Sequence, residues 1–301
     1  MDYKSISTAE NSVVINDVKN FELDHIFQCG QCFRWDKISE NKYIGVAFGR
    51  VIGVEKSGSD VILHNSSEED FHSIWQKYFD LLTDYSEIKK KLSVDPLLKS
   101  SVDFGNGIRI LKQEPFEIVV SFIISANNRI PMIRRAINNI SKRWGKELSY
   151  QGNKYYAFPS PEVLREASEE ELEACGLGFR AKYVKDTVDK IYKSLTDVKE
   201  YEQYNIYNIA RLDADNCHEA LQQFIGIGPK VADCIMLFSM GKVSAFPVDV
   251  WVKRAMMHFY VAPDVSLKKI REFGRNKFGE EAGYAQQYLF YYARENNVQI
   301  D

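Results

Sequence analysis

Residues 221–234 read LQQFIGIGPKVADC, and this stretch decides how the chain is interpreted. The tight turn Gly226-Ile227-Gly228 separates two helical patterns, and Pro229 stands where a second helix can begin. Glycines let the backbone turn sharply and approach a ligand closely, while the amides at a helix start favour an anion. The turn therefore indicates a phosphate-binding module, with DNA as the natural source of the phosphate. On the two glycines alone, an ordinary helical corner with a glycine cap is the simpler interpretation.

Two further side chains, Lys230 and Asp249, favour the phosphate-binding interpretation over the ordinary helical corner. Lys230 falls in the first turn of the second helix, where the helix dipole favours the neutral amine that a nucleophilic lysine requires. Asp249 follows nineteen residues later in the stretch FPVDV, just before the next helical pattern. As a helix cap it would contribute about 1 kcal/mol, and a cap can also serve in catalysis.

Composition restricts the class of protein. The 301 residues are 45% apolar and 27% charged, which is typical of a globular chain and excludes wholesale disorder. The net charge of −3 excludes a uniformly basic DNA-binding surface but not a local one. Residues 101–160 hold nine Lys or Arg against four acids, whereas residues 161–225 hold eight against fourteen. The first stretch could face phosphates, or both could be ordinary solvated helix faces.

Hydrophobic periodicity predicts an α+β fold. Short alternating runs, at residues 13–15, 32–35, 43–48, 51–54 and 61–63, predict an antiparallel sheet domain with flanking helices over residues 1–107. Residues 108–301 are predicted to be helical, with the helical hairpin at about 217–238. The predicted helices cover 67–79, a segment beginning near Pro115, and 131–144, 161–174, 182–192, 217–224, 230–238, 250–260, 267–278 and 282–294.

Cysteine usage and the apolar segments predict an intracellular, cytoplasmic protein without a membrane partner. The five cysteines are scattered, which favours a reducing compartment, and the first fourteen residues do not resemble a secretory signal. The longest apolar stretch, 118–126, is too short to span a bilayer. Cys29 and Cys32 form a Cys-x-x-Cys pair, which could suggest redox chemistry or half of a metal site. No second pair stands at zinc-like spacing, so no metal site is predicted.

The hairpin, the lysine and the aspartate together resemble the helix-hairpin-helix DNA glycosylases. In that superfamily a lysine at the position of Lys230 implies a bifunctional enzyme, and the aspartate at Asp249 is the catalytic acid. Four further stretches resemble the 8-oxoguanine DNA glycosylases of the eukaryotic-type group, and the similarity spans roughly residues 20–295. They are GQCFRW at 30–35, SFIISANN at 121–128, GLGFRAKY at 176–183 and GYAQQYLF at 283–290.

This resemblance implies a fold and an activity. The fold is a TBP-like N-terminal sheet domain followed by two helical subdomains. The activity is excision of 8-oxoguanine from duplex DNA by base flipping and lysine Schiff-base chemistry, followed by strand cleavage through β-elimination. A bacterial, DNA-associated monomer that acts on damaged duplex DNA is expected. Alternatives are a glycosylase for alkylated purines and a non-catalytic helix-hairpin-helix DNA-binding protein.

The resemblance also assigns residues to the flipped base. It implies that the carbonyl of Gly30 accepts from the ring nitrogen protonated only in the oxidised base. Gln286 would address the Watson–Crick edge, while Cys234 and Phe290 would sandwich the ring. Each has a structural alternative, since Gly30 could be a turn, Gln286 a surface residue, and Cys234 and Phe290 core residues.

Other residues are expected to contact the DNA strands. Asn127 would fill the gap left by the flipped base, and Phe179 and Arg180 would support the distorted duplex. The hairpin residues Gly226, Gly228 and Lys230 would hold a phosphate.

Three positions depart from the family pattern. Met132 stands where the eukaryotic enzymes have an arginine that contacts the opposite cytosine, and Phe179 replaces a tyrosine that wedges beside it. Trp251 replaces a histidine near the strand phosphates. Loss of a cationic donor predicts relaxed specificity for the opposite base.

No cofactor is predicted. The last cysteine is Cys234, so the C-terminal iron–sulfur loop of some relatives is not expected. A monovalent cation held by hairpin carbonyls is left open.

Overall fold

The computed structural model describes residues 1–196, 199–261 and 265–299. Six strands precede the helical part: β1 (Ser5–Ala9), β2 (Ser12–Asn16), β3 (Trp35–Ser39), β4 (Lys42–Ala47), β5 (Arg50–Ser57) and β6 (Asp60–His64). They form one antiparallel sheet in the order β1-β2-β6-β5-β4-β3. This sheet and the helical remainder confirm the predicted α+β class. Strand β1 was not predicted, and β3 begins at the last residue of the predicted run 32–35.

Alternating burial explains the register of the first strands. Val13 pairs with Leu63 and Ile15 pairs with Val61, and all four side chains are fully buried. Their neighbours along the strands point to the other face, as the two-residue period of a strand requires. The apolar pattern thus places one face of β2 and β6 in the core.

Helices make up most of the remaining described chain. They are α1 (Leu23–Phe27), α2 (Glu68–Asp70), α3 (Gln76–Tyr78), α4 (Tyr85–Leu92), α5 (Pro96–Phe104), α6 (Pro115–Ser125), α7 (Ile130–Trp144), α8 (Pro161–Leu164), α9 (Glu169–Leu172), α10 (Ala181–Leu195), α11 (Ile206–Ile209), α12 (Ala214–Leu221), α13 (Pro229–Phe238), α14 (Val250–Phe259), α15 (Leu267–Phe278) and α16 (Ala282–Glu295). Short π-helical or 3-10 turns lie at Phe71–Trp75, Glu173–Leu177, Gly178–Arg180, Lys199–Tyr204 and Gly279–Glu281. None of the helices in the described ranges is long and apolar enough to cross a membrane.

Two compact units share the described chain, and neither is contiguous in sequence. Unit 1 consists of residues 1–32, 54–112 and 241–301, and unit 2 of residues 33–53 and 113–240. Strand β5 contributes residues to both.

A buried ion pair lies in the core of unit 1. The Arg109 side chain is fully buried, and its Nη1 donates to Oδ2 of Asp2 at 2.8 Å. Its Nε donates to the carbonyl of Phe79 at 2.8 Å, and its guanidinium lies 4.2 Å from the ring centroid of Tyr85. Such a charge is tolerated in a core only when it is paired and hydrogen-bonded, as here.

Unit 2 is built around α6, a strongly apolar helix of eleven residues. Glu114 caps it by accepting from the amide of Glu117 at 2.7 Å, and Pro115 occupies its first turn. Residues 118–124 are all buried, and α7, α10 and α13 pack against the helix.

One helix prediction is wrong. Residues 161–174 form two short helices, α8 and α9, rather than one. The hydroxyl of Ser168 accepts from the amide of Glu171 at 3.2 Å, and the Glu171 carboxylate accepts from the amide of Ser168 at 3.0 Å. This reciprocal capping box starts a new helix inside the predicted one.

A second hairpin was not predicted. Strands β7 (Glu147–Tyr150) and β8 (Asn153–Tyr156) pair antiparallel across Gln151 and Gly152, which both have positive φ. Leu148, Tyr150 and Tyr155 pack against a buried cluster that includes Ile44 and Val46.

Candidate functional site

The predicted hairpin of unit 2 joins α12 to α13. Gly226 has φ +89°, and a Cβ there would lie 3.0 Å from the ring of Tyr183. Both the left-handed backbone and the nearby ring therefore require glycine at this position. Gly228 is the N-cap of α13 and offers no side chain to cap it. The start of α13 is thus left to backbone amides, the arrangement that suits an anion.

Lys230 is the second residue of α13 and is half-buried. Its Nζ lies 5.7 Å from the ring centroid of Phe122, which itself packs against Phe33 and Phe238. Cys234, one turn further along α13, is 4% exposed. The amine therefore lies beside an aromatic surface formed by Phe122 and the rings packed against it.

Asn127 and Arg180 lie together in unit 2. Asn127 is exposed, follows α6 and has the left-handed φ of 50°. The Arg180 guanidinium is largely buried and donates to the carbonyls of Ala126 and Asn127, at 2.8 and 2.7 Å. Arg180 therefore holds the turn that presents Asn127.

Two of the three residues that depart from the family pattern belong to unit 2, and both are exposed. Phe179 is 56% exposed and Met132 is 44% exposed. The Arg180 guanidinium lies 4.3 Å from the Phe179 ring centroid, and Tyr183 contacts the same ring edge-on. Both side chains are therefore accessible to a ligand.

The basic stretch 101–160 is less available than its charge count suggests. Five of its nine cations form ion pairs within the protein: Arg109 with Asp2, Lys112 with Asp80, Arg134 with Asp36, Arg143 with Glu171 and Lys154 with Glu147. The other four are exposed: Arg129, Arg135, Lys142 and Lys146. Only this smaller group is positioned to meet phosphates without breaking an ion pair seen in the described chain.

Asp249 belongs to unit 1 and caps α14 as predicted. Its Oδ1 accepts from the amides of Trp251 and Val252, at 3.0 and 2.8 Å. The carboxylate is half-buried at the start of the helix. The two amides fix its orientation at the start of α14. Trp251 stacks beneath the guanidinium of Arg254, with 4.8 Å between Cζ and the ring centroid.

Three of the predicted base-pocket residues lie in unit 1. Gly30 has φ +80°, and a Cβ there would lie 3.0 Å from the ring of Phe290. Gln286, one helical turn before Phe290 on α16, is 4% exposed. Its Oε1 is buried and has no hydrogen-bond partner among the described residues. A buried amide oxygen without a partner is rare in native proteins and indicates a ligand or water that completes it.

Two side chains that the sequence analysis did not single out hold this loop. Gln287 donates to the carbonyl of Cys29 at 2.6 Å. Arg294 donates to the carbonyl of Gln28, and its Cζ lies 5.1 Å from the ring centroid of Phe290. The only signal in the sequence is that Arg294 stands four residues after Phe290 on one helix, so that the two side chains share a face.

The Cys29–Cys32 pair makes local hydrogen bonds. Cys29 donates to the carbonyl of Ile26 and Cys32 to that of Phe27. Burial raises the pKa of the Cys29 thiol to about 11, which disfavours the thiolate needed for redox or metal chemistry. Within residues 1–196, 199–261 and 265–299, no group of three or more His, Cys, Asp or Glu side chains could hold a metal ion.

Two family models together match residues 13–280. Residues 13–119 match the model described as the 8-oxoguanine DNA glycosylase N-terminal domain. Residues 120–280 match the HhH-GPD superfamily base excision DNA repair protein model.

Named proteins and solved structures resemble the chain over most of its length. A crystal structure of the 8-oxoguanine glycosylase/lyase of Clostridium acetobutylicum, in complex with double-stranded DNA containing cytosine opposite 8-oxoguanine, is 60% identical with a TM-score of 0.95. The matched region covers 99% of this chain and 100% of the chain in that crystal structure. A probable N-glycosylase/DNA lyase of Methanothermobacter thermautotrophicus is 35% identical over 73% of this chain and 74% of its own length. The N-glycosylase/DNA lyase OGG1 of Arabidopsis thaliana is 30% identical over 88% and 75%.

Proposed function

Since the chain belongs to the HhH-GPD superfamily of base excision DNA repair proteins and carries the N-terminal domain of the 8-oxoguanine DNA glycosylases, we propose that it excises 8-oxoguanine from duplex DNA and then cleaves the strand. It is a DNA glycosylase with lyase activity. The observation that carries this proposal is the position of Lys230, a lysine in the first turn of the helix that follows the glycine hairpin.

The two catalytic residues have complementary roles. The neutral amine of Lys230 attacks the anomeric carbon of the nucleotide, and the bond from that carbon to the base breaks as the new C–N bond forms. Asp249 stabilises the positive charge that develops on the sugar. The departing base takes up a proton, and the amine loses one. Ring opening then gives a Schiff base, from which loss of a C2′ proton expels the 3′ phosphate.

Recognition of the flipped base is assigned to four residues. The carbonyl of Gly30 accepts from the ring nitrogen that carries a proton only in 8-oxoguanine. Gln286 addresses the Watson–Crick edge, and its buried Oε1 without a protein partner supports this role. Cys234 and Phe290 sandwich the ring.

The duplex is held by residues of unit 2. Asn127 fills the vacated position, Phe179 and Met132 face the opposite base, and Arg180 supports the Asn127 turn. Gly226, Gly228 and the amides that begin α13 hold a phosphate, where a monovalent cation could also be shared with hairpin carbonyls. The enzyme is proposed to act as a monomer. It is proposed to need no cofactor because lysine and aspartate supply the chemistry, and to lack the C-terminal iron–sulfur loop because its last cysteine is Cys234.

A trapping experiment tests the activity. Borohydride reduces a Schiff base to a stable covalent complex, so wild-type protein mixed with 8-oxoguanine duplex should give a trapped band, and Lys230→Gln should give none. A trapped complex with Lys230→Gln would remove Lys230 as the nucleophile. Incision of alkylated duplex in place of 8-oxoguanine duplex would favour the alkylpurine alternative, and binding without incision would favour the non-catalytic one.

Met132 gives a test of opposite-base specificity. The thioether cannot make the two charge-assisted hydrogen bonds of an arginine, each such pair being worth about 1–3 kcal/mol of discrimination. We expect wild-type excision opposite adenine to lie within about tenfold of excision opposite cytosine, and Met132→Arg to increase the preference for cytosine. A strong preference for cytosine in the wild type, unchanged in Met132→Arg, would contradict the assignment.

A further inference from the structure

His218 connects the two helices of the hairpin in unit 2. Its side chain lies on α12 and is 12% exposed. Ring atom Nε2 lies 3.2 Å from the carbonyl oxygen of Pro229, the first residue of α13. The same atom is 3.7 Å from Oδ1 of Asp233, one turn further along that helix. One histidine therefore contacts both sides of the helical turn that contains Lys230.

Gln222 determines which ring nitrogen of His218 carries the proton. Its amide nitrogen lies 3.0 Å from the carbonyl oxygen of His218 and 3.0 Å from ring atom Nδ1. A carbonyl oxygen can only accept, so the group that faces it is the NH₂ group of Gln222, and Nδ1 must accept from that group too. The ring proton is then on Nε2, and Nε2–H donates to the carbonyl of Pro229.

This hydrogen bond acts directly on the backbone of Lys230. The carbonyl of Pro229 and the amide nitrogen of Lys230 belong to one planar peptide group, because the C–N bond between them has partial double-bond character. A donor that fixes the Pro229 oxygen therefore also fixes the nitrogen and Cα of Lys230. Gly226 and Gly228, in the turn before this peptide, lack the steric restraint of a Cβ, and the His218 contact from α12 adds a restraint from outside the turn.

We propose that His218 is a positioning residue for Lys230. Its Nε2–H holds the Pro229–Lys230 peptide plane, and so sets the direction in which the Lys230 side chain projects from α13. This inference rests on the proposed function, in which Lys230 is the nucleophile. Displacement of a reacting group by about 1 Å can slow a reaction about 100-fold. Loss of the His218 contact should therefore affect the chemical step more than DNA binding.

Two substitutions at His218 separate the donor from the volume of the ring. His218→Leu fills the space without a donor, whereas the Nε2 of Gln in His218→Gln can replace the Nε2–H of histidine. We expect single-turnover borohydride trapping on 8-oxoguanine duplex to slow about 10- to 100-fold in His218→Leu. It should stay within about threefold of wild type in His218→Gln. The Kd for a duplex with a tetrahydrofuran abasic site should change less than about threefold in either.

The control is His72→Leu, since His72 is 54% exposed and lies in unit 1. It should trap at the wild-type rate. Gln222→Leu leaves the His218 ring in place but removes the donor to Nδ1 that keeps the ring proton on Nε2. It should slow trapping without changing the Kd, and it gives a test even if His218→Leu does not fold. Normal trapping by His218→Leu, or by Gln222→Leu where the former is unfolded, would overturn the inference. So would equal losses in trapping and Kd. Absence of trapping by the wild type would instead refute the proposed function.

Discussion

Asp249 has a structural task that can be separated from its proposed chemical one. Its Oδ1 caps α14 through two amides, and asparagine caps helices about as well as aspartate, whereas alanine does not. We expect Asp249→Asn to stay within about 0.5 kcal/mol of the wild-type free energy of unfolding while excision falls at least about 100-fold. Asp249→Ala should lose about 1 kcal/mol more. Urea unfolding and single-turnover excision measure the two effects.

The outcome that would contradict this assignment is wild-type excision by Asp249→Asn. The half-buried carboxylate would then serve the helix alone, and the positive charge on the sugar would have to be stabilised elsewhere.

The two hairpin glycines predict opposite responses to the same substitution. Gly226 has φ +89° and Tyr183 beside it, whereas Gly228 has φ −92° and no atom within 4 Å of a Cβ. We expect Gly226→Ala to lose about 1–2 kcal/mol of stability and Gly228→Ala less than about 0.5 kcal/mol. Thermal unfolding gives the stabilities, and the Kd for abasic-site duplex gives the binding. Weaker binding by a fully stable Gly228→Ala would support close approach of phosphate to this backbone, whereas equal stability losses would contradict the geometry.

At the scale of elements, Glu117 links α6 to the segment that enters β3. Its side chain is 17% exposed, and the nearest guanidinium nitrogen of Arg34 is 3.6 Å away. Burial raises the pKa of Glu117 to about 7 despite the attraction of Arg34, and Glu114 adds to the rise. The folded state thus binds this proton more tightly than the unfolded state, so the associated stability is present below pH 4.5 and is lost as the pH rises to about 7.

Unfolding at two pH values tests this linkage. We expect the free energy of unfolding of the wild type, relative to Glu117→Gln, to be lower at pH 8 than at pH 5 by about 2 kcal/mol. Glu87→Gln, at an exposed position on α4, serves as the control and should show no such difference. A flat difference across this range would contradict the raised pKa.

The elements that were predicted correctly are those with strong local signals. The hairpin carried two glycines and a proline, and α14 carried its aspartate cap, so both could be placed from residue order alone. Hairpin β7–β8 was not predicted because Gln151-Gly152 is a weaker turn signal than Asn-Gly, although both residues adopt left-handed φ. The break inside 161–174 required weighing Ser168 with Glu171 as a capping box against a continuous apolar stripe.

The candidate site was predicted only as far as a family pattern could carry it. The positions of Lys230 and Asp249 at the starts of two helices followed from spacing. The positioning contacts of His218 and Arg294 join residues far apart in sequence or on adjacent helix turns, and periodicity alone does not reveal them. That the buried Oε1 of Gln286 has no hydrogen-bond partner among the described residues likewise depends on packing, and it cannot be predicted from the residue type.

At the scale of the whole molecule, the basic stretch 101–160 offers fewer cations to DNA than its charge count suggests. Four exposed basic residues remain in the stretch 101–160 once the internal ion pairs are removed, and the hairpin amides bind phosphate without formal charge. We expect log K for abasic-site duplex to fall with log salt concentration with a slope of about −3 to −4. Arg129→Gln should make the slope shallower by about 1, whereas Lys99→Gln, which removes a cation already paired with Asp103, should not. A slope near −10 would contradict this count.

Because the two units alternate along the sequence, unit 2 is fully translated before unit 1 is complete. Every residue of unit 2 has been translated once Met240 is added, but unit 1 still lacks α14, α15 and α16. During that interval the N-terminal strands, with Val13 and Ile15, have been synthesised without the last segment of their unit. A nascent chain stalled after Met240 would therefore carry one complete unit and one unfinished unit, and it is the unfinished one that would need a chaperone.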